Sequence, residues 1–214
     1  MNKSPRVLLI GATDSTGREI LTQAKIEGLS IRAMAENPAS LQSSFLPASD
    51  IVRGDVLDRG SLVMAMAGID TVISVLELPL TLKPVPLLSE GTRNVVEAMR
   101  EAGIARLLCV TGMGAGDSRG HAGLVDDWVI LPTLLRSIYE SKNRREPVMT
   151  SGNLDWVVIR PARLVNSAPT GRYREVTHIG GKRMRTIARK DVAHFIVQET
   201  MRRRYSRQTV NLTY

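Results

Sequence analysis

Val7-Leu8-Leu9-Ile10-Gly11-Ala12-Thr13-Asp14-Ser15-Thr16-Gly17-Arg18-Glu19-Ile20 is the stretch on which the reading of the fold turns. The apolar run at 6–10 has the length of a buried strand, and helix-forming residues run from Gly17 to Ile26. Strand, tight turn and helix in this order are what a dinucleotide-binding loop requires. Gly11 permits the turn, Gly17 permits close packing of helix on strand, and the helix start directs backbone amides toward a diphosphate. Thr13, Ser15 and Thr16 fill the rest of the loop. Glycine spacing alone is a weak signal; its place directly after the first strand strengthens it.

Outward from this loop, strand-length apolar runs alternate with segments of helical period. The runs at 30–35, 51–53, 71–76, 106–111 and 155–160 join 6–10 as candidates for a parallel core, with 208–213 as a late edge strand. Helices are expected at 17–26, 61–67 and 85–102. The last has an apolar face of Leu88, Val95, Val96, Met99 and Ala102, with Gly103 as its stop. No repeat or linker divides the chain, so 1–214 reads as one α/β domain, a doubly wound parallel sheet with helices on both faces. One segment departs from the pattern: residues 112–123 hold five glycines directly after a strand, a composition suited to a ligand-covering or surface loop.

Composition narrows the function. The 214 residues are 43% apolar and 23% charged, ordinary values for one folded domain. No apolar run reaches the roughly eighteen residues of a membrane span, the N-terminus lacks a signal-peptide core, and Cys109 is the single cysteine, so a cytoplasmic, disulfide-free protein is expected. The charge is uneven: residues 160–207 carry 13 Lys/Arg against three acids, whereas the remainder has 16 basic and 18 acidic side chains. This asymmetry suits an anionic ligand, an acidic partner or a solvated basic helix end at Arg202-Arg203-Arg204. Nucleic acid is disfavoured as a partner, because aromatic residues make up only 4% of the chain and leave little for base stacking. The sequence carries no signal of oligomeric state.

The loop from Gly11 to Gly17 resembles the Gly-Ala-Thr-Gly-x-x-Gly loop of the atypical short-chain dehydrogenase/reductases, the NAD(P)-binding group that includes NmrA-like proteins and biliverdin reductase B, or flavin reductase. The resemblance continues through Gly54-Asp55, Leu62 to Gly68, the helix at 91–98, Val110-Thr111-Gly112, the run from Leu154 to Pro161, and Arg189-Lys190-Asp191-Val192-Ala193. It implies a Rossmann-like fold, with the part from about 160 to 214 completing the substrate side. It also implies that Asp55 and Val56 face the adenine, that Val75-Leu76-Glu77 runs under the ribose and nicotinamide, and that Arg160-Pro161-Ala162 walls the nicotinamide end.

Two departures from the family pattern bear on the cofactor. Asp14 stands at the place of the middle glycine and brings a carboxylate near a diphosphate; an outward side chain that caps the following helix would relieve the repulsion. Glu36 and Ser40 stand where NADP users commonly carry Arg and Lys. A carboxylate there accepts from a ribose 2′-hydroxyl but repels a 2′-phosphate, so NAD(H) is the preferred cofactor. Arg32, nearby in sequence, keeps NADP(H) as the second candidate.

For chemistry, Thr111 matches a family Ser or Thr beside the nicotinamide. Tyr139 and Lys142 resemble the Tyr/Lys pair of standard short-chain dehydrogenases, although three residues apart instead of four, which turns them about 100° relative to the usual pair. His121 lies in the glycine-rich segment with a titration range suited to proton transfer. The three histidines have no metal-ligand spacing, so no metal is expected. The reading is a reductase passing hydride from NAD(P)H to a small carbonyl, flavin or quinone-like acceptor. An anionic acceptor would suit Lys182, Arg183, Arg185, Arg189 and Lys190. The alternative is a non-enzymatic NAD(P)-sensing regulator or interaction protein of NmrA-like type.

Overall fold

The computed structural model describes residues 4–41, 46–76, 87–111, 147–150, 152–180 and 184–214. Along these, β1 (Val7–Ile10), α1 (Ser15–Glu27), β2 (Ile31–Ala35), β3 (Ile51–Arg53), α2 (Arg59–Ala65), β4 (Thr71–Ser74), α3 (Leu87–Glu101) and β5 (Arg106–Val110) form the first half. β6 (Asp155–Pro161), β7 (Arg163–Val165), β8 (Arg174–Val176), β9 (Thr186–Ala188), α4 (Arg189–Arg202) and β10 (Gln208–Thr213) form the second. Eight described strands make one sheet in the order β3-β2-β1-β4-β5-β6-β10-β8; every neighbour is parallel except β8, which runs antiparallel to β10. β7 and β9 pair separately.

Both faces of the sheet are covered, which is why β1 is apolar at every position. Val7 and Leu9 join one core with Ile20, Leu21, Ala24, Val192 and Ile196 of α1 and α4. Leu8 and Ile10 join the other with Leu62, Val95 and Met99 of α2 and α3. The doubly wound sheet expected from the sequence is therefore present. Details differ: β10 lies inside the sheet, because β8 pairs along its outer side and takes the edge. Ala102 is exposed, since α3 ends at Glu101 and Gly103 (φ 69°) turns the chain away.

The sequence reading marks only a basic helix end at Arg202-Arg203-Arg204 and does not delimit α4. Its residues from Val192 to Thr200 are nearly all buried, so an amphipathic stripe is hard to see. Its ends are tied by polar clamps. At the start, the buried Asp191 carboxylate accepts from Thr170 N (2.9 Å), Gly171 N (3.0 Å) and Tyr214 Oη (2.6 Å). Burial acts to raise its pKa, but the hydrogen bonds from Tyr214, Thr170 and Gly171 outweigh it and hold the group below its ordinary 3.8. Stability from the ionised form is therefore complete above about pH 4 and is lost as pH falls through the lower folded-state pKa. Asp191→Asn should cost about 1–3 kcal/mol at pH 7, and the gap in denaturation midpoint from the parent should narrow below pH 4; a gap that widens in acid would refute this.

At the other end, the fully buried Glu199 accepts from Arg106 Nη2 (2.8 Å) and from Tyr205 N (3.0 Å). Arg106 Nη1 also reaches Asp155 Oδ2 (2.9 Å) and the Tyr205 carbonyl (2.8 Å). The network joins the starts of β5 and β6 to the end of α4. Tyr205 Oη donates to Glu175 (2.7 Å), and burial with this bond pushes its pKa up to about 12.

Candidate functional site

The strand order reverses between β1 and β4: the chain leaves β1 toward β2 on one side, while β4 to β6 build outward on the other. In an open parallel sheet, such a reversal leaves a crevice at the carboxyl ends of the strands, where ligands bind. The Gly11–Gly17 loop lies here. Gly11 has φ 86°, and a Cβ on it would come within 2.9 Å of the Val75 carbonyl; a Cβ on Gly17 would come within 2.0 Å of the Gly11 carbonyl. The loop is wound against both β4 and its own helix so tightly that these two positions require glycine.

Asp14 takes the N-cap position expected for it, but its side chain makes no capping hydrogen bond. The backbone sets the cap instead: Asp14 N donates to the Gly11 carbonyl (3.1 Å) and Arg18 N donates to that of Asp14 (2.9 Å). The outward capping carboxylate expected from the sequence is thus not formed. Thr13 and Ser15 are exposed and Thr16 is buried at the first turn.

At the end of β2, Glu36 is exposed at the same edge, followed by a turn in which Ser40 Oγ donates to the Asn37 carbonyl (2.6 Å). Arg32 requires a correction. Its Nη1 donates to the Ala65 and Ala67 carbonyls (2.8 Å each), at the C-terminal end of α2. α2 runs from the carboxyl end of β3 back toward the start of β4, so this guanidinium is committed to the opposite edge of the sheet. A cation that the sequence reading overlooked is present instead: Arg18 Nε donates to the Thr13 carbonyl (3.1 Å) and Nη2 to that of Ser40 (3.2 Å). The available signal was its place in the first turn of α1, one residue past the last loop glycine.

Asp55, expected from the resemblance to face the adenine, accepts through Oδ1 from Leu57 N (2.8 Å), a turn-forming contact. Val56 is turned into the core, where its Cγ2 would lie 2.9 Å from a Cβ on Gly91. Val75 is buried against Gly11 and its N–H donates to the Ile10 carbonyl (3.0 Å); Leu76, partly exposed, follows it. Thr111 and Pro161 are buried at the ends of β5 and β6, adjacent strands, and Thr111 N donates to the Ile159 carbonyl (2.9 Å). The structure therefore brings Gly11–Gly17, Glu36, Val75, Thr111 and Pro161 to one edge. Glu77, His121, Tyr139, Lys142, Lys182 and Arg183 lie outside the described residues, as does the glycine-rich segment.

Two surface clefts lie at the opposite edge, one of about 420 Å³ beside Arg6, Asp70 and Met201, the other of about 480 Å³ beside Met99, Gly103 and Leu154. Neither touches the loops above. Among the described residues no group of three or more His, Cys, Asp or Glu side chains is placed to hold a metal, and no helix is long and apolar enough to cross a membrane.

A parallel sheet with a glycine loop at its reversal point defines a Rossmann-type, dinucleotide-binding class of domain. The chain belongs to the NAD(P)H-binding family, whose model matches residues 11–202. It is 24% identical over 177 residues to an uncharacterized chloroplastic protein of Arabidopsis thaliana, 79% of this chain and 62% of that one, so it spans about three fifths of that relative's length. Among solved structures it resembles ChuY, an anaerobillin reductase of Escherichia coli O157:H7, at 21% identity and TM-score 0.77 over 97% of this chain and 96% of that one. It also resembles a short-chain dehydrogenase/reductase of Veillonella parvula in complex with NADP, at 12% identity and TM-score 0.78 over 99% and 95%. At these identities the structural likeness concerns the fold.

Proposed function

We propose that this protein is an NAD(P)H-dependent reductase that prefers NAD(H) and delivers hydride to a small carbonyl, flavin or quinone-like acceptor. The observation that carries the reading is the convergence of the glycine loop, the exposed Glu36 and the ends of β4, β5 and β6 on one edge of the sheet.

The donors and acceptors at this edge fit a dinucleotide. The start of α1 follows directly on the glycine loop and turns its positive dipole end toward the place of a diphosphate. Ser15 offers an exposed hydroxyl beside it, and Glu36 can accept from a ribose 2′-hydroxyl. The bound nicotinamide would supply the hydride. Thr111, at the end of a central strand, would orient the acceptor through its hydroxyl, and buried Pro161 on the neighbouring strand would help keep water from the reacting face. Tyr139 and Lys142 remain candidates for proton donation and for holding the ribose. The basic residues Arg185, Arg189 and Lys190 favour an acceptor with negative charge.

The test is calorimetric titration of cofactor-stripped protein with NADH and NADPH, followed by NADH oxidation against a panel of carbonyl, flavin and quinone acceptors. Tighter binding of NADH, with turnover of at least one acceptor, supports the proposal. Binding without turnover on any acceptor would favour the sensing role instead. Glu36→Arg should shift the NADPH-to-NADH affinity ratio toward NADPH by about tenfold, by exchanging a repelling charge for a charge-assisted bond to phosphate; an unmoved ratio would remove Glu36 from the ribose.

A further inference from the structure

We propose that Arg18 is the residue through which this chain accepts the adenosine 2′-phosphate of NADP(H), so that cofactor choice rests on the opposition of Arg18 and Glu36. This inference depends on the dinucleotide reading of the β1–β4 edge given above.

Arg18 stands in the first turn of α1 and is exposed. Its guanidinium bridges the Thr13 carbonyl of the loop after β1 and the Ser40 carbonyl of the turn after β2. These are the two segments between which the outer hydroxyls of an adenosine ribose would lie when the diphosphate sits on α1 and the ribose meets the end of β2. Two of its five N–H donors hold the loops; three are left in a fixed plane, a geometry that matches phosphate oxygens. The two carbonyl anchors limit the side chain's freedom before any ligand arrives, which lowers the entropy lost on binding.

Among the described residues the other cation near this corner is Arg53, exposed at the end of β3 opposite Ala35, which makes no bond to the loop after β1 among the described contacts. Ser40 uses its hydroxyl within its own turn, Glu36 carries the opposite charge, and Arg32 is held at the far edge. Arg18 and Glu36 form no ion pair among the described contacts, so neither cancels the other before ligand binds. A 2′-hydroxyl is served by Glu36. A 2′-phosphate is repelled by Glu36 and drawn by Arg18. The chain therefore discriminates modestly between the two cofactors and does not exclude NADP(H).

Calorimetry on stripped parent, Arg18→Ala, Arg18→Lys and Glu36→Gln, each with NADH, NADPH, 5′-AMP and 2′,5′-ADP, tests this, with thermal denaturation of each apo variant alongside. Arg18→Ala should weaken NADPH and 2′,5′-ADP about tenfold while changing NADH and 5′-AMP less than about twofold. Arg18→Lys should retain part of the NADPH affinity, and Glu36→Gln should strengthen NADPH. Equal losses for phosphorylated and unphosphorylated ligands, or a lowered melting temperature with an unchanged ratio, would make Arg18 only a strap between two loops and overturn the proposal. A parent that binds NADH but no NADPH would overturn it too. A parent that binds none of the four ligands would instead remove the dinucleotide reading on which the proposal stands.

Discussion

Gly17→Ala should destabilise the fold by about 3–5 kcal/mol and abolish dinucleotide binding. A methyl group at this position would sit 2.0 Å from the Gly11 carbonyl oxygen and 2.9 Å from both Ala12 Cα and the Gly11 carbonyl carbon. All three contacts are backbone, so no side-chain rotation can relieve them; the start of α1 would have to move off β1. That movement would separate the helix amides from the loop and loosen the packing of Ile20 and Leu21 against Leu9. Urea denaturation and NADH titration of the soluble variant check both parts. Should the yield be poor, Gly28→Ala provides a control, because a Cβ at Gly28 meets nothing within 4 Å although its φ of 68° adds some strain. A Gly17→Ala protein that unfolds within about 0.5 kcal/mol of the parent and binds NADH unchanged would show that the loop is not wound this tightly.

Arg106→Met should cost about 3 kcal/mol, the lower end of what is seen when one member of a buried ion pair is removed. The reason lies in what remains: Glu199 has no exposed surface, and the guanidinium is its 2.8 Å partner. Arg204, at 3.6 Å from Glu199 Oε2, and the amides of Arg204 and Tyr205 keep the carboxylate partly satisfied, which limits the loss. Arg106 and Asp155 are imperfectly paired in the parent, because Arg106 Nε and Asp155 Oδ1 are buried without hydrogen-bond partners. The double variant Arg106→Met/Glu199→Leu should accordingly recover much of the loss, since it removes the charge that the single variant strands. Chemical denaturation of the two variants reads the difference. A double variant no more stable than the single one would mean that the network holds β5, β6 and α4 together through specific geometry, and not merely through mutual neutralisation. Cofactor binding should be unaffected in either case, because the network sits at the edge opposite the glycine loop.

The sheet was readable from the sequence because its signals are local. A four-residue apolar run, buried on both faces, and a glycine pair spaced for a turn report on neighbours in the chain, and β1 with its loop formed as read. The start of α1 illustrates the limit. Asp14 was recognisable as an N-cap, but whether its carboxylate would meet the helix amides depended on a side-chain direction that residue type does not fix. The long helix α4 was marked only at its basic end for the converse reason: packed against both α1 and the sheet, it buries so much of its circumference that the period used to recognise helices is faint.

By itself, then, the sequence determined an α/β chain with a dinucleotide loop after its first strand and a carboxylate where family members using NADP carry a cation. Only the tertiary structure decided which arginine bridges the glycine loop and the turn after that carboxylate. Arg32 is four residues from Glu36 in sequence, yet strand direction and the end of α2 take its charge to the far edge; Arg18 is eighteen residues away, and parallel pairing of β1 with β2 sets it beside the turn after Glu36. The same holds for Val56, which α3 draws into the core, and for β10, which became an interior strand once β8 paired with it. Local periodicity specifies what a segment becomes, whereas the direction of a side chain is settled by the elements that pack around it, and those are brought together from distant parts of the chain.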